Sequence, residues 1–288
     1  MKLTNREHWE EEYKDGSINS HSDKNQKSIY RRIANLIKRL IGKKLTSMTK
    51  SYDEYLLFDV ILKRYLANVE KGSSVIEVGC APGTYVMKVA RAFDLMPYGV
   101  EYTSSGTSLC KENFERQGYE PNNVQFADFL SDEFQSLNSE KYDVVISRGL
   151  IEHFENPEDI IKTHMALLKP GGQLIISIPN LRGIYWPWTY IFNKRQLPLH
   201  NLNIMRLKEF RKLFEIGELQ EQWLGYTGTF NFGLFTVENP GVILKFILRT
   251  LIVVQMALNI IFRLIFKDKG MESSLFSPGL LYVGKKNP

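Results

Sequence analysis

Two short stretches carry residue types at spacings suited to chemistry. Residues 75–85 read VIEVGCAPGTY, and residues 151–154 read IEHF. In the first, an apolar run ends at Val78 and a turn follows, opened by Gly79 and closed by Gly83 near the start of the next helix. Glycines there let the backbone pass close to a bound nucleotide, and a helix start offers free N–H groups to an anion. A dinucleotide fingerprint asks for G-x-G-x-x-G. Gly79, Ala81 and Gly83 are followed by Thr84, a poor fit. Glu77, two residues before the first glycine, would repel a pyrophosphate and suits a ligand with a positive centre. In the second stretch, His153 can take a proton near neutral pH, and Glu152 can orient it or bind a substrate hydroxyl. The bland reading of His153 is a helix-start imidazole bonded to backbone.

These residues need elements to position them. After Gly72, Val- and Ile-rich runs alternate with helical patterns. Strands are expected at 73–79, 97–102, 123–128, 142–147 and 173–178, then at 219–226 and 279–286. Gly171 and Gly172 are expected to close the helix over 157–168, and a further helix covers 206–214. The alternation predicts an α/β fold: a seven-stranded, mostly parallel doubly wound sheet of the Rossmann-like kind, with right-handed crossovers. Residues 71–288 form that domain. Residues 1–70 read as an N-terminal helical cap, with Trp9 and Tyr13 one turn apart and helices over 28–41 and near 52–68. In such a sheet both stretches fall at the carboxyl edge, where ligands bind.

In this arrangement the chain resembles the class I S-adenosylmethionine-dependent methyltransferases, over about 70–235 and again at 279–286. Their first motif is an acid followed by G-x-G-x-G; here Glu77-Val78-Gly79-Cys80-Ala81-Pro82-Gly83 places Ala81 at the middle glycine. Glu101 ends strand two, where the family sets an acid on the ribose hydroxyls, and Tyr102 follows it. Asp128 and Phe129 match the adenine-contacting pair. Ser147-Arg148-Gly149 follows strand four, and LLKPGGQLIISIPN matches the L-x-P-G-G signature of strand five. The resemblance implies S-adenosylmethionine as cofactor, held by these residues; separately, no metal site is expected. The Glu152-His153 pair resembles the ubiquinone-biosynthesis O-methyltransferase branch, which implies a role as base. His200 is a second candidate, because related enzymes often carry a histidine between strand five and the next helix; an exposed loop residue is its alternative. His164 reads as structural. No N/D-P-P-Y/F follows strand four and no Pro-Cys nucleophile occurs, which disfavours methylation of adenine amines and of cytosine C5.

Residues 242–266 read VILKFILRTLIVVQMALNIIFRLIF, far more apolar than the rest. Arg249 and Arg263 leave only 250–262 uncharged, about 20 Å of helix against roughly 30 Å of hydrocarbon. Lys245, Arg249, Asn259, Arg263 and Lys267 fall on one narrow stripe, which a helix lying in a membrane interface keeps wet. The stretch forms an insertion at about 238–270 between strands six and seven, on the cofactor side of the sheet. Packing on the core or on a second subunit is the alternative. Lys and Arg crowd residues 24–50, a run suited to an anionic surface. Tyr185, Trp186, Trp188 and Phe192 add an aromatic patch suited to an interface or an ordinary lid. Two cysteines make neither a zinc cluster nor a disulfide framework, and the start lacks the apolar core of a signal peptide. The expectation is a cytoplasmic enzyme, peripheral on the cytoplasmic membrane face, that O-methylates a lipid, lipid-linked or other small-molecule hydroxyl. The alternatives are a soluble small-molecule or sugar O-methyltransferase with a helical homodimer interface, and an RNA methyltransferase using the basic segment. The second is disfavoured, since aromatics are not interleaved with that run.

Overall fold

The computed structural model of the protein describes residues 2–14, 47–235, 237 and 240–288. The basic helix expected over 28–41, and all of the basic run before residue 47, lie outside the described residues. Helix α1 (Arg6–Lys14) comes first. Helix α2 is one rod in three parts: Tyr52–Tyr55, a π-helical Leu56–Leu62, and Lys63–Leu66. Alternation then sets in, with β1 (Ser74–Val78), α3 (Thr84–Phe93), β2 (Met96–Glu101), α4 (Ser104–Arg116) and the short β3 (Val124–Phe126). It continues through α5 (Asp132–Asn138), β4 (Tyr142–Arg148), α6 (Pro157–Leu167) and β5 (Leu168–Pro179). Helices α7 (Tyr185–Phe192) and α8 (Leu207–Lys212) lead into β6 (Leu219–Thr227). The long α9 (Val242–Ile265) then separates β6 from β7 (Gly279–Lys286).

The seven strands form one sheet in the order β3-β2-β1-β4-β5-β7-β6. β7 runs antiparallel to both neighbours, and the other pairs are parallel. Both faces are covered, which is why the central strands are apolar throughout rather than alternating. Ile76, Val78, Val145 and Leu174 pack under α5, α6 and α8 through Phe134, Ile161 and Phe210. Val75, Val144 and Ile175 face α2, α3 and α4 through Leu62, Val86 and Phe114. The chain reverses its direction of winding between β1 and β4, and that switch opens a crevice beyond their carboxyl ends.

Two expectations are corrected. Gly171 and Gly172 do not close a helix: α6 ends at Leu167, and both glycines lie within β5. Gly172 is required by space, since a Cβ there would meet the carbonyl oxygens of Lys169 and Asp143 at 2.9 and 3.0 Å, and Gly171 by its φ of +76°. The polar stripe of α9 is not wet along its whole length either. Lys245, Arg249 and Lys267 are exposed, but Asn259 is buried and Arg263 is half-buried. The cause lies in the main chain around the start of α2, which needs partners. Asn259 Nδ2 donates to the Thr49 carbonyl at 3.0 Å, and Arg263 Nη2 donates to that of Ser51 at 3.1 Å. One turn earlier, Gln255 accepts from the Phe232 N–H at 2.9 Å and donates to the Phe230 carbonyl at 3.0 Å. α9 is therefore fixed to the protein by its polar side. Its apolar side is left outward, with Val242 85%, Ile243 78% and Phe246 72% exposed.

Candidate active site

A cavity of about 190 Å³ opens at the carboxyl ends of β1, β2 and β4. Gly79 and Ala81 form its floor, Glu101, Tyr102 and Phe129 one wall, and Arg148 and His153 another. The floor is bare for a geometric reason. Gly79 has φ +70°, and a Cβ there would sit 3.1 Å from Leu150 Cδ1. Gly83, the N-cap of α3, has φ +83° and would carry a Cβ 3.0 Å from the Phe114 ring. A side chain at either position meets strain and a packed neighbour together.

The expected acids occupy different depths. Glu101 lines the cavity, and its Oε1 accepts from the Thr103 N–H at 2.9 Å and hydroxyl at 2.6 Å. Burial raises its pKa, and the bonds from Thr103 oppose that rise. Glu77 stands behind the glycine turn, where Oε2 accepts from the Val86 N–H in the first turn of α3 at 3.0 Å. Burial pushes its pKa up to about 8 against the opposing pull of Arg148. Glu77 thus ties strand to helix beneath the loop. Asp128 sits outside the cavity, in a neighbouring hollow; Oδ1 accepts from the Leu130 N–H, and Oδ2 lies 3.3 Å from Lys2 Nζ. Ser147 is buried in β4, and Cys80 Sγ packs 3.4 Å from Cys110 Sγ under the loop.

His153 faces the cavity from the 3-10 turn Ile151–His153 that follows β4. Its Nδ1 bonds the Leu199 carbonyl at 2.7 Å, which makes that nitrogen the donor and leaves Nε2 with a lone pair. Burial, helped by the neighbouring His200, drives its pKa down to about 3, so the ring is neutral at ordinary pH. Glu152 is buried beside it, Oε1 3.9 Å from His153 Nε2, and burial lifts its pKa to about 8. His200 lies behind His153, with ring centroids 4.5 Å apart, and bonds the Gln196 carbonyl through Nδ1. It is half-buried rather than solvent-exposed. His164 is fully buried and bonds Ile160 within α6, as a structural residue would.

The roof comes from α1, whose Trp9 and Tyr13 line the cavity. Trp9 meets His153 edge-on at 5.1 Å, and its Nε1 donates to Thr4 at 3.1 Å. Glu10 accepts from the N–H groups of Ser104 and Ser105 at 2.7 and 3.0 Å, capping α4 and pinning the roof to it. The pairing of Trp9 and Tyr13 was visible in their spacing; where they pack was not. Arg148 was also missed as a wall residue, although it sits inside the strand-four motif.

A family model described as a methyltransferase domain matches residues 49–224. The chain belongs to the methyltransferase-domain family. Ubiquinone biosynthesis O-methyltransferase of Coxiella burnetii is 28% identical over 156 residues, 52% of this chain and 64% of that protein. Its counterpart from Actinobacillus pleuropneumoniae is 30% identical over 118 residues, 40% and 49% of the two chains. The chain therefore spans about half to two thirds of the length of these curated relatives. Among solved structures, a SAM-dependent methyltransferase from Archaeoglobus fulgidus aligns with TM-score 0.50 and 15% identity, over 82% of this chain and 95% of that one. Geranyl diphosphate C-methyltransferase from Streptomyces coelicolor, solved with S-adenosyl-L-homocysteine, aligns with TM-score 0.51 and 11% identity, over 81% and 77%. At such identities the structures show the fold alone.

The cofactor of this methyltransferase domain is S-adenosylmethionine. The cavity suits it. A buried carboxylate at the end of β2 offers an acceptor for hydroxyls, and the glycine floor admits a ligand where a Cβ would intrude. Arg148 supplies a guanidinium for a carboxylate, and Phe129 an apolar face for a base.

Proposed function

We propose that this methyltransferase domain transfers the methyl group of S-adenosylmethionine to a hydroxyl of a lipid or lipid-linked acceptor while lying on the cytoplasmic face of a membrane. The observation that carries the reading is α9. Its 24 residues cover about 36 Å at 1.5 Å per residue, yet only 17% of its most apolar window is buried. A contiguous apolar face of that size marks an interaction surface. Because Gln255, Asn259 and Arg263 fix the opposite side to the domain, the helix cannot also thread a bilayer without breaking those bonds. Lying flat in the interface satisfies both sides. The aromatic residues Tyr185, Trp188 and Phe235 pack into one cluster, and Asn231, next to the Phe232 that Gln255 holds, donates to the Tyr185 hydroxyl. Tyr185 is buried in that cluster, while Trp186 and Tyr190, stacked 5.2 Å apart, are exposed on the same helix and suit the headgroup level.

The chemistry asks little of the protein beyond alignment. The sulfonium leaves as a neutral thioether, so the domain must hold the acceptor oxygen in line and keep water away. Trp9 and Tyr13 close the cavity above, and His153 presents its free Nε2 toward the hydroxyl proton. Glu152, 3.9 Å from that nitrogen and with its pKa held at about 8 by burial, would steady the imidazolium so formed by giving up its own proton.

Incubating the protein with methyl-labelled S-adenosylmethionine and a total lipid and metabolite extract tests the acceptor, with label expected in the lipid fraction. Flotation with anionic vesicles tests the docking. A soluble small-molecule or sugar acceptor is the competing reading, in which a second copy covers the face of α9. A compact dimer in detergent-free sedimentation, with no flotation, would establish it.

A further inference from the structure

We propose that Thr4 is the hydrogen-bond donor that seats the acceptor oxygen opposite His153, and that the cavity is thereby built for an oxygen nucleophile rather than an amine. That role rests on the hydroxyl-methylation reading, which supplies the reacting atom.

The main chain brings Thr4 to this place. Lys2 pairs with Phe154 in an antiparallel bridge, and the Leu3 N–H donates to the His153 carbonyl at 2.8 Å. Thr4 is the next residue, 4% exposed and part of the cavity lining. The indole of Trp9 meets both groups. Its ring lies edge-on to the His153 imidazole at 5.1 Å, and its Nε1 donates to Thr4 Oγ1 at 3.1 Å. An indole N–H only donates, so this bond occupies a lone pair of the hydroxyl and leaves the hydroxyl hydrogen to be given elsewhere. Among the described residues no acceptor takes it. A buried O–H without an acceptor is costly, and the cavity is the space in which a ligand can supply one.

His153 carries the complementary need. Its Nδ1 is committed to the Leu199 carbonyl at 2.7 Å, so Nε2 can only accept. One uncommitted donor and one uncommitted acceptor, lining one cavity, match a hydroxyl group. The acceptor O–H donates to His153 Nε2, and one oxygen lone pair accepts from Thr4. The second lone pair is left for the sulfonium methyl. In transfer that pair forms the C–O bond, the S–CH3 bond breaks with its electrons left on sulfur, and the O–H proton passes to His153 Nε2. The charge that gathers on oxygen as the proton leaves is met by the bond from Thr4. A neutral amine has a single lone pair and must spend it on the attack. It cannot accept from Thr4 as well, so the buried hydroxyl stays unmatched and the amine is disfavoured.

The first arm of the test needs no turnover. The full chain, saturated with S-adenosylhomocysteine, is titrated by NMR with phenol and separately with aniline, two flat rings of equal size that differ in the oxygen and the nitrogen. Phenol should bind several-fold more tightly. Thr4→Val should erase that preference, and Thr4→Ser, which keeps the hydroxyl, should restore it. The second arm uses methyl-labelled S-adenosylmethionine with the lipid and metabolite extract. Thr4→Val should slow hydroxyl labelling roughly tenfold, the worth of one hydrogen bond to a group gaining charge, while S-adenosylhomocysteine affinity holds and Thr4→Ser stays near the unmodified rate. Equal affinities for phenol and aniline would overturn the proposal. So would a fall in S-adenosylhomocysteine affinity that tracks the lost rate, since Thr4 would then only support the roof through Trp9. The two readings fail separately. Hydroxyl labelling at full rate in Thr4→Val keeps the function and sinks the donor; a phenol preference that depends on Thr4, with no hydroxyl labelled, does the reverse.

Discussion

Asn259, in the middle of the most apolar helix, donates its side-chain amide to the carbonyl of Thr49, 3.0 Å away and 210 residues earlier in the chain. Its Oδ1 accepts from Gln255 at 3.0 Å and from the Tyr52 N–H at 3.4 Å. One buried amide thus joins the helix to the start of α2. Replacing it with leucine leaves those groups unmatched, at a cost of about 1–3 kcal/mol. Asn259→Leu should lower the melting temperature by several degrees and increase protease cleavage near α9. An unchanged melting curve would mean that the helix is held in some other way.

Glu10 is expected to control how long the cofactor stays. Its carboxylate holds the N-terminus of α4, and the bonds from Ser105 set its pKa down to about 2. Glu10→Ala should release α1, so that S-adenosylhomocysteine dissociates several-fold faster by stopped-flow tryptophan fluorescence. The sign with pH follows. A folded pKa below the ordinary 4.5 contributes stability above pH 4.5, and that contribution is lost as pH falls towards about 2. The roof should therefore loosen only in acid.

Thr103 orients Glu101 through a 2.6 Å hydroxyl bond. Thr103→Val should leave the fold intact and weaken cofactor binding roughly tenfold, near 1.4 kcal/mol for one hydrogen bond to a charged group. Calorimetry with S-adenosylhomocysteine checks this, and equal affinity would remove Thr103 as a positioning residue.

Glu77 predicts how ligand-free stability varies with pH. Burial holds its folded pKa at about 8, against an ordinary 4.5. The folded state then keeps a proton that the unfolded state releases, so stability is highest below pH 4.5 and falls as pH rises to about 8. Glu152 acts with the same sign. Melting temperatures measured at pH 5.5 and pH 8 should decline for the unmodified chain, and Glu77→Gln should reduce that slope without abolishing it. A rising curve would contradict the burial of both carboxylates.

Much of this was legible in the chain itself. Apolar runs at β1, β2 and β4, separated by helical periods, can only bury both faces in a covered parallel sheet, and Glu77, Gly79 and Glu101 mark its carboxyl edge. His153 could be placed beside that edge because it follows β4 by so few residues. Local pattern could not show which side of α9 meets the protein, since a stripe of Lys, Asn and Arg looks wet until Thr49 and Ser51 present bare carbonyls to it. Nor could it show that His200 comes to rest against His153, or that Glu77 lies behind the glycine turn rather than in the cavity wall. Sequence determines what each segment prefers within a few turns of itself. Which distant carbonyl, ring or carboxylate ends up opposite a given side chain is decided only when the sheet closes and the crossovers bring the loops together.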